Sequence, residues 1–521
     1  VADPRTIIIG AGHNGLVCAY YLARGGHKVT IAERRGVVGG AAVTEEFHPG
    51  FRNSTASYTV SLLNQRIIDD MRLAEHGLRI IERPIANFLP SQDGRYLKLG
   101  GSLERSQAEV AKFSAKDAET LPRYYAMIDA VGDVLRRMAM QTPPNPWDGA
   151  RGWLRALLQG NRLRRLGLSQ QRDLLDLFAK SARQILDAWF ESDEIKALLG
   201  FDSIVGNYAS PDTPGSAYVL LHHTFGGVNG KKGIWGHAIG GMGAITQAMA
   251  AACVKQGVEI LLDAPVRHVL VEHGGARGVV LQDGRTLDAG RVVANVHPRL
   301  LFQKLVDPAA LDDDFRHRIA GYHGGSGTFR MNVALSELPD FTCLPGTQSA
   351  DHHASGIIIG PTLDYMDRAY VDARLHGWAR APIVEMLIPS TLDDTLSPPG
   401  QHVASLFCQH VAPRLPERDW ASAREEVADV MIDAVTRFAP NFRASVLGRV
   451  SLTPADLEEK FGLLDGDIMH GHMSLDQLWA ARPILGHGSY RAPIKGLFMC
   501  GAGTHRGGGV SGMPGFNAAR E

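Results

Sequence analysis

Thr6-Ile7-Ile8-Ile9-Gly10-Ala11-Gly12-His13-Asn14-Gly15 is the stretch on which the reading of this chain turns. Four β-branched residues predict a short buried strand that stops at Gly10. Leu16, Cys18, Ala19, Leu22 and Ala23 then recur at helical spacing until Gly25-Gly26 ends the pattern. A second strand, Lys28-Val29-Thr30-Ile31-Ala32, leads to Glu33, eighteen residues beyond Gly15. Strand, glycine turn, helix, strand and acid together form the dinucleotide-binding fingerprint in its structural context. Gly10 permits the tight turn, Gly12 lets backbone approach a pyrophosphate, and Gly15 lets helix and strand pack closely. The helix start, with Asn14 in its first turn, offers N–H groups and a positive dipole end to phosphates. Glu33 is placed to accept hydrogen bonds from a ribose.

The residues that follow choose the cofactor. Gly36-Val37-Val38-Gly39-Gly40-Ala41-Ala42 puts a glycine pair just after the second strand. Such a pair lets backbone N–H groups approach a second part of the same ligand, as the phosphates and ribityl chain of FAD require. Arg34 and Arg35 raise the alternative of a 2′-phosphate on NADP, which Glu33 would repel. The expected cofactor is FAD, with Arg34 and Ala41 counted among its contacts.

At 521 residues the chain exceeds one ordinary core and predicts two or more interleaved domains. A net charge of −1 argues against nucleic acid as a partner. The 58 glycines, about 11% against a usual ~7%, cluster in a few tracts, as expected where backbone approaches a large ligand. Five cysteines with no C-x-x-C fit a reducing, cytoplasmic compartment and exclude a sequence-adjacent redox dithiol. No apolar run approaches the ~18 residues of a membrane span. Val1-Ala2-Asp3-Pro4 resembles neither a signal nor a transit peptide, the missing Met suggests a trimmed start, and the final residues read as a helix that the natural chain continues.

Along the chain, Leu78–Ile81 and Tyr96–Leu99 read as strands around an Asp93-Gly94 turn. Residues 114–200 turn helical. Within them, 149–172 carry six arginines and no acid, interleaved with Trp153, Leu154, Leu157, Leu158, Leu163 and Leu166. That pattern fits either a segment docking on a membrane surface or a pair of cap helices with a solvated arginine face. Around residue 225 glycine returns, in Phe225–Gly230 and in Trp235–Gly243, followed by a helix and a meander of short strands to Asn295. Residues 300–440 predict a second mixed region. Gly496–Cys500 is a buried-strand pattern leading to Gly501-Ala502-Gly503-Thr504-His505 and more glycine, a second cradle for the same ligand.

These residues carry a resemblance. Gly10–Gly15, Glu33, Gly39-Gly40, Gly240-Gly241-Met242-Gly243 and the tract from Gly501 resemble the phytoene desaturase-type flavoproteins of the amine oxidase superfamily. Trp235-Gly236, Gly466–Gly471 and Met473–Leu478 are similar to the branch that contains pyridine nucleotide-disulphide oxidoreductase domain-containing protein 2. The resemblance implies an α/β fold: a Rossmann-like, glutathione reductase-like FAD-binding domain (1–90, 226–300 and 445–521). A mixed-sheet and helical substrate domain (91–225 and 301–444) interleaves with it. It implies that Gly10, Gly12, Gly15, Glu33, Gly39 and Gly40 hold the ADP half. Val266 would present its backbone to adenine, and Gly503, Gly512 and Met513 would line the ribityl and flavin ring. The chain departs from the pattern at Ala41, where an arginine is common, at Thr504, where many amine oxidases have an acid, and in lacking a recognisable amine-binding aromatic pair.

A flavin carries the hydride step itself, which accounts for the absence of a Ser/His/Asp or paired-carboxylate constellation. No second nucleotide-binding unit is apparent, so electrons are expected to leave to O2, a quinone or another external acceptor. His505, Trp235, His237 and Tyr58 are the candidates for the reacting end. A packing role is the commoner one for Trp235 and Tyr58, and a backbone-bonded loop histidine is an equal alternative for His505. Lys231 and Lys232 read as solvated, and His222-His223, His352-His353 and His470-Gly471-His472 lack a third ligand for a metal. The expected activity is desaturation or oxidation of an apolar, isoprenoid-like substrate. Amine oxidation and a non-enzymatic lipid-binding role stand as alternatives, and a homo-oligomer is compatible with the sequence.

Overall fold

The computed structural model describes residues 5–521, and for His222 and His223 the backbone only. Val1–Pro4, with the expectation about the start of the chain, and the side chains of the His222-His223 pair lie outside the described residues. The strands Thr6–Ile9 and Val29–Ala32 pair in parallel as expected. They belong to a five-stranded parallel sheet in the order Glu259–Leu261, Val29–Ala32, Thr6–Ile9, Arg291–Ala294, Leu497–Met499. Its central strands are buried on both faces, which is why they read as continuous apolar runs rather than alternating ones. The strand order reverses direction beside Thr6–Ile9, and ligands of such sheets bind at that switch point.

The two ends of the chain meet there. The helix His13–Arg24 packs against both Met242–Lys255 and the terminal helix Met513–Arg520. Gly515 makes the second contact possible: a Cβ on it would stand 2.1 Å from the carbonyl oxygen of Asn14. The expected meander, Val266–Glu272, Gly275–Leu281 and Thr286–Asp288, covers the other face.

A second, seven-stranded sheet runs Val446–Leu452, Phe329–Leu335, His402–Val411, Trp378–Leu387, Gly356–Ile359, Asn87–Pro90, Tyr96–Leu99. It takes in Asn87–Pro90 and Val446–Leu452, which boundaries at 90 and 445 would put with the nucleotide-binding sheet. The hairpin around Asp93-Gly94 pairs Tyr96–Leu99 with Asn87–Pro90, and Ile80–Glu82 instead pairs with Gly236–Ala238. Asn87–Pro90 ends in proline and lacks β-branched residues, so propensity does not mark it. Helices between Leu103 and Leu220 pack over one face of this sheet, sharing a core with Ile358, Ile383 and Phe407. Among the described residues no helix is long and apolar enough to cross a membrane.

Candidate active site

The glycine turn at the switch point is as crowded as its sequence implies. A Cβ on Gly15 would lie 2.3 Å from Gly10 O and 2.8 Å from Asn295 Nδ2. Asn295, from the end of a neighbouring strand, donates its Nδ2 to Gly10 O at 3.2 Å and holds the turn. The glycine pair docks directly on this turn, with Gly39 N–H donating to Ala11 O at 2.9 Å. Glu33, 5% exposed, accepts from Ala11 N–H at 2.7 Å and from Arg35 N–H at 2.9 Å, so its carboxylate sits against the turn. Arg34 donates to Glu459 O at 3.0 Å, and Val266 is half-buried at the start of the meander.

Gly40, Ala41, Tyr58 and Trp235 line one cavity together with Ala502, Gly509 and Val510 from the far end of the chain. About 1150 Å³ there is free of atoms, counting the open mouth. A Cβ on Gly503 would meet Pro298 at 2.3 Å, and one on Gly512 would meet Ile67 at 2.7 Å. Met513 is buried and starts the terminal helix. From the same tract, Gly509 and Val510 line the cavity. Gly240-Gly241-Met242-Gly243 is likewise a joint: Met242 N–H donates to Ser54 Oγ at 2.9 Å and Gly243 N–H to Thr44 Oγ1 at 3.0 Å.

The sequence pattern described as flavin containing amine oxidoreductase matches residues 15–328, more than half of the chain. The chain belongs to this family. It is 40% identical to the rat pyridine nucleotide-disulfide oxidoreductase domain-containing protein 2, across 98% of this chain and 92% of that one. It is 27% identical to a component of the limonene dehydrogenase of Castellaniella defragrans, across 99% and 93%. Among solved structures, an oxidoreductase from Methanosarcina mazei has the same fold, with a TM-score of 0.61 over 99% of both chains at 17% identity.

As a flavin-containing amine oxidoreductase the chain is an FAD-dependent oxidoreductase, and the site suits that cofactor. The helix His13–Arg24 begins at Gly12 with no side chain capping it, leaving its first N–H groups for an anion. Two polar atoms beside it are buried and without a hydrogen-bond partner, Asn14 Oδ1 and His13 Nε2. Of these two residues, His13 also lines the cavity. Gly40 leaves the wall open, its nearest neighbour being Gly12 Cα at 3.4 Å from a Cβ position. The pyrophosphate would rest on Gly12–Asn14 and Gly39-Gly40, the ribose on Glu33, and the ring between Tyr58, Trp235 and Gly509-Val510.

The four candidates for the reacting end separate. Tyr58 and Trp235 line the cavity; His237 and His505 do not. His505 shares a contact of 3.3 Å with Met138 O and packs on Trp479, and burial lowers its pKa to about 3. His237 Nε2 lies 2.9 Å from Asp393 Oδ2, which also accepts from Gly240 N–H at 2.7 Å. Lys231 and Lys232 pair on the surface with Glu82 and Asp133.

Sequence reasoning missed the roles of His13, His470 and Glu385. His13 and His470 line the cavity, and burial lowers them to about 4 and about 3, so both are neutral at physiological pH. Glu385 lies behind Tyr58, whose hydroxyl donates to its Oε2 at 2.5 Å. The Arg330 guanidinium stands 4.6 Å over the Tyr58 ring, and Phe407 stacks on that ring at 5.2 Å. Burial raises both the glutamate and the phenol; Glu385 pushes the phenol further, whereas Arg83 and Arg330 oppose the rise at Glu385.

Asp393 gives the joint a pH dependence. Burial alone would raise its pKa, but hydrogen bonds from His237, Thr395 and Gly240 outweigh that and bring it to about 2. A depressed carboxylate pKa contributes stability above the unfolded value, ~3.9, that is lost as pH falls through the folded one. Asp393→Asn should therefore be less stable than the parent by about 1–3 kcal/mol at pH 6. Urea unfolding should show the difference closing between pH 4 and pH 2; a difference that persists unchanged there would contradict the assignment.

Proposed function

We propose that the enzyme removes hydrogen from an apolar, isoprenoid-like carbon chain, with FAD taking the hydride and O2, a quinone or another external acceptor taking the electrons onward. The observation that carries this reading is the wall of the cavity. Beyond its glycines it is built from groups such as Leu62, Val205, Phe461, Ile468 and Met469, and among the described residues no lysine, arginine, aspartate or glutamate side chain lines it. A protonated amine would be desolvated there without a carboxylate to pair with. The relation to the Castellaniella limonene dehydrogenase supports a hydrocarbon substrate.

Bound FAD supplies the hydride acceptor. The chain supplies the rest. The apolar wall orients the substrate and excludes water from the carbon that becomes electron-poor. Loss of hydride from one carbon leaves a proton to be lost from its neighbour, and Tyr58 is the hydroxyl on the wall with a buried carboxylate behind it. Its oxygen accepts that proton while its own passes along the 2.5 Å hydrogen bond to Glu385. Arg83 and Arg330 favour the ionised form of Glu385, which is the form able to receive it.

The test is anaerobic mixing of the yellow protein with limonene, longer isoprenoid hydrocarbons in micelles, benzylamine and putrescine. A hydrocarbon should bleach the visible flavin absorbance; bleaching by the amines alone would overturn the reading. Tyr58→Phe should retain its FAD and slow that bleaching about 100-fold or more, the range for loss of a positioned proton acceptor. A rate within a factor of about two of the parent would remove Tyr58 from the chemistry.

A further inference from the structure

The helix Ala150–Arg164 is turned inside out relative to an ordinary cap helix. Its buried positions are Gly152 and Gln159. A Cβ on Gly152 would stand 1.8 Å from Asn145 O, and Gln159 donates to Thr142 O at 3.4 Å. The outward face carries Trp153, Leu154, Leu157 and Leu158, at 60%, 57%, 67% and 52% exposure. Trp147 just before it, and Leu168 and Leu175 on the next helix, Leu168–Ala179, are exposed to the same degree. Helices on globular proteins place such a stripe inward. The outer surface of the helix is tryptophan and leucine, with exposed arginines beside them.

Arginine dominates the charge around this face, with Asp148 beside Trp147 and Asp173 and Asp176 beside Leu175 as the nearby acids. Arg151, Arg162, Arg164, Arg165 and Arg172 are all exposed, and 149–172 contain no acid. Arg155 is neutralised by Glu521 at 2.8 Å. A second copy of the chain seated here would bring like charges together, which disfavours a self-complementary interface. A bilayer with anionic head groups supplies the complementary charge and an apolar interior for tryptophan and leucine at once. The helix also rests on the chain beside the flavin loop: Arg162 donates to Gln141 at 2.8 Å, and Met138 three residues earlier touches His505.

We propose that the outer face of Ala150–Arg164, continued by Trp147, Leu168 and Leu175, is a docking surface for a membrane rich in anionic lipid. The helix lies in the head-group plane with Trp153 and Leu157 inserted and the arginines on phosphates. The inference stands apart from the reading of the substrate, because it is tested by binding alone.

The experiment is flotation of the FAD-loaded full chain with phosphatidylcholine vesicles, with and without phosphatidylglycerol, at low and high salt. The parent should float with the anionic vesicles at low salt, and less at high salt. Trp153→Ser with Leu157→Ser should lower partitioning about tenfold or more, and because both side chains are largely exposed the flavin spectrum should be unchanged. Arg164→Gln with Arg165→Gln should lower it about fivefold for each charge removed. The proposal is overturned if the parent stays with the unbound fraction, or if both variants float as it does. It is also overturned if sedimentation shows a dimer that the Trp153→Ser, Leu157→Ser pair splits, since the occupant would then be a second copy.

Discussion

Arg482→Met should destabilise the folded protein by about 3–5 kcal/mol and leave it colourless, although residue 482 touches neither substrate nor cofactor space. The Arg482 guanidinium is 0% exposed. Its Nε donates to Ala502 O, its Nη1 to His472 O and Gln477 O, and its Nη2 to Met469 O and Gly471 O, at 2.7–3.3 Å. Asp467 grips the same loop from the other side, accepting from Met469 N–H at 2.9 Å and Gly471 N–H at 2.6 Å. The loop carries Ile468, Met469 and His470 to the cavity, and the Ala502 bond ties it to the C-terminal glycine tract. Methionine fills much of the volume and satisfies none of the five carbonyls. Lysine should recover only part of the loss, because a point charge with three donors cannot reproduce a planar fork with five. Urea unfolding with flavin release followed in parallel checks both statements; an Arg482→Met protein with the parent's midpoint and colour would refute them.

The second large effect concerns a single methyl group. Gly15→Ala puts a Cβ 2.3 Å from Gly10 O, and the atoms it meets are backbone and the Asn295 side chain that holds the turn. Neither can retreat without moving the strand end from which the helix dipole is aimed, so the variant should lose FAD and about 1–3 kcal/mol or more of stability. Gly160→Ala is the matched control. It lies on the helix Ala150–Arg164 with nothing within 4 Å of its Cβ position, and alanine there should stabilise by up to about 1 kcal/mol. The thermal midpoints of the two variants should therefore move in opposite directions, and flavin content should fall only in Gly15→Ala. An FAD-replete Gly15→Ala protein would show that the close approach is not required.

How much of this was legible beforehand follows from the range of the interactions. Gly10, Gly12, Gly15, Glu33 and the glycine pair stand within a few dozen residues, and the backbone sterics that demand them act on near neighbours. The site's other half depends on distant partners. Tyr58 reads as ordinary packing until Glu385, 327 positions later, is found under its hydroxyl. His237 reads as a candidate for the reacting end, and only the fold shows Asp393, 156 positions later, bonded to it. Gly503 and Gly512 read as ligand-facing because glycine signals close approach without naming what approaches; the close approaches within the chain itself are those of Pro298 and Ile67.

The amino-acid order by itself determined that a nucleotide-binding sheet forms, where its glycine turn lies, and that a flavin cofactor fits it, because strand, turn and helix signals are local. Only the tertiary structure decided which residues face the reacting end and which face of the Ala150–Arg164 helix meets the surroundings. Both are set by chain segments hundreds of residues apart or by the direction in which a helix is docked, and neither spacing nor composition carries that direction.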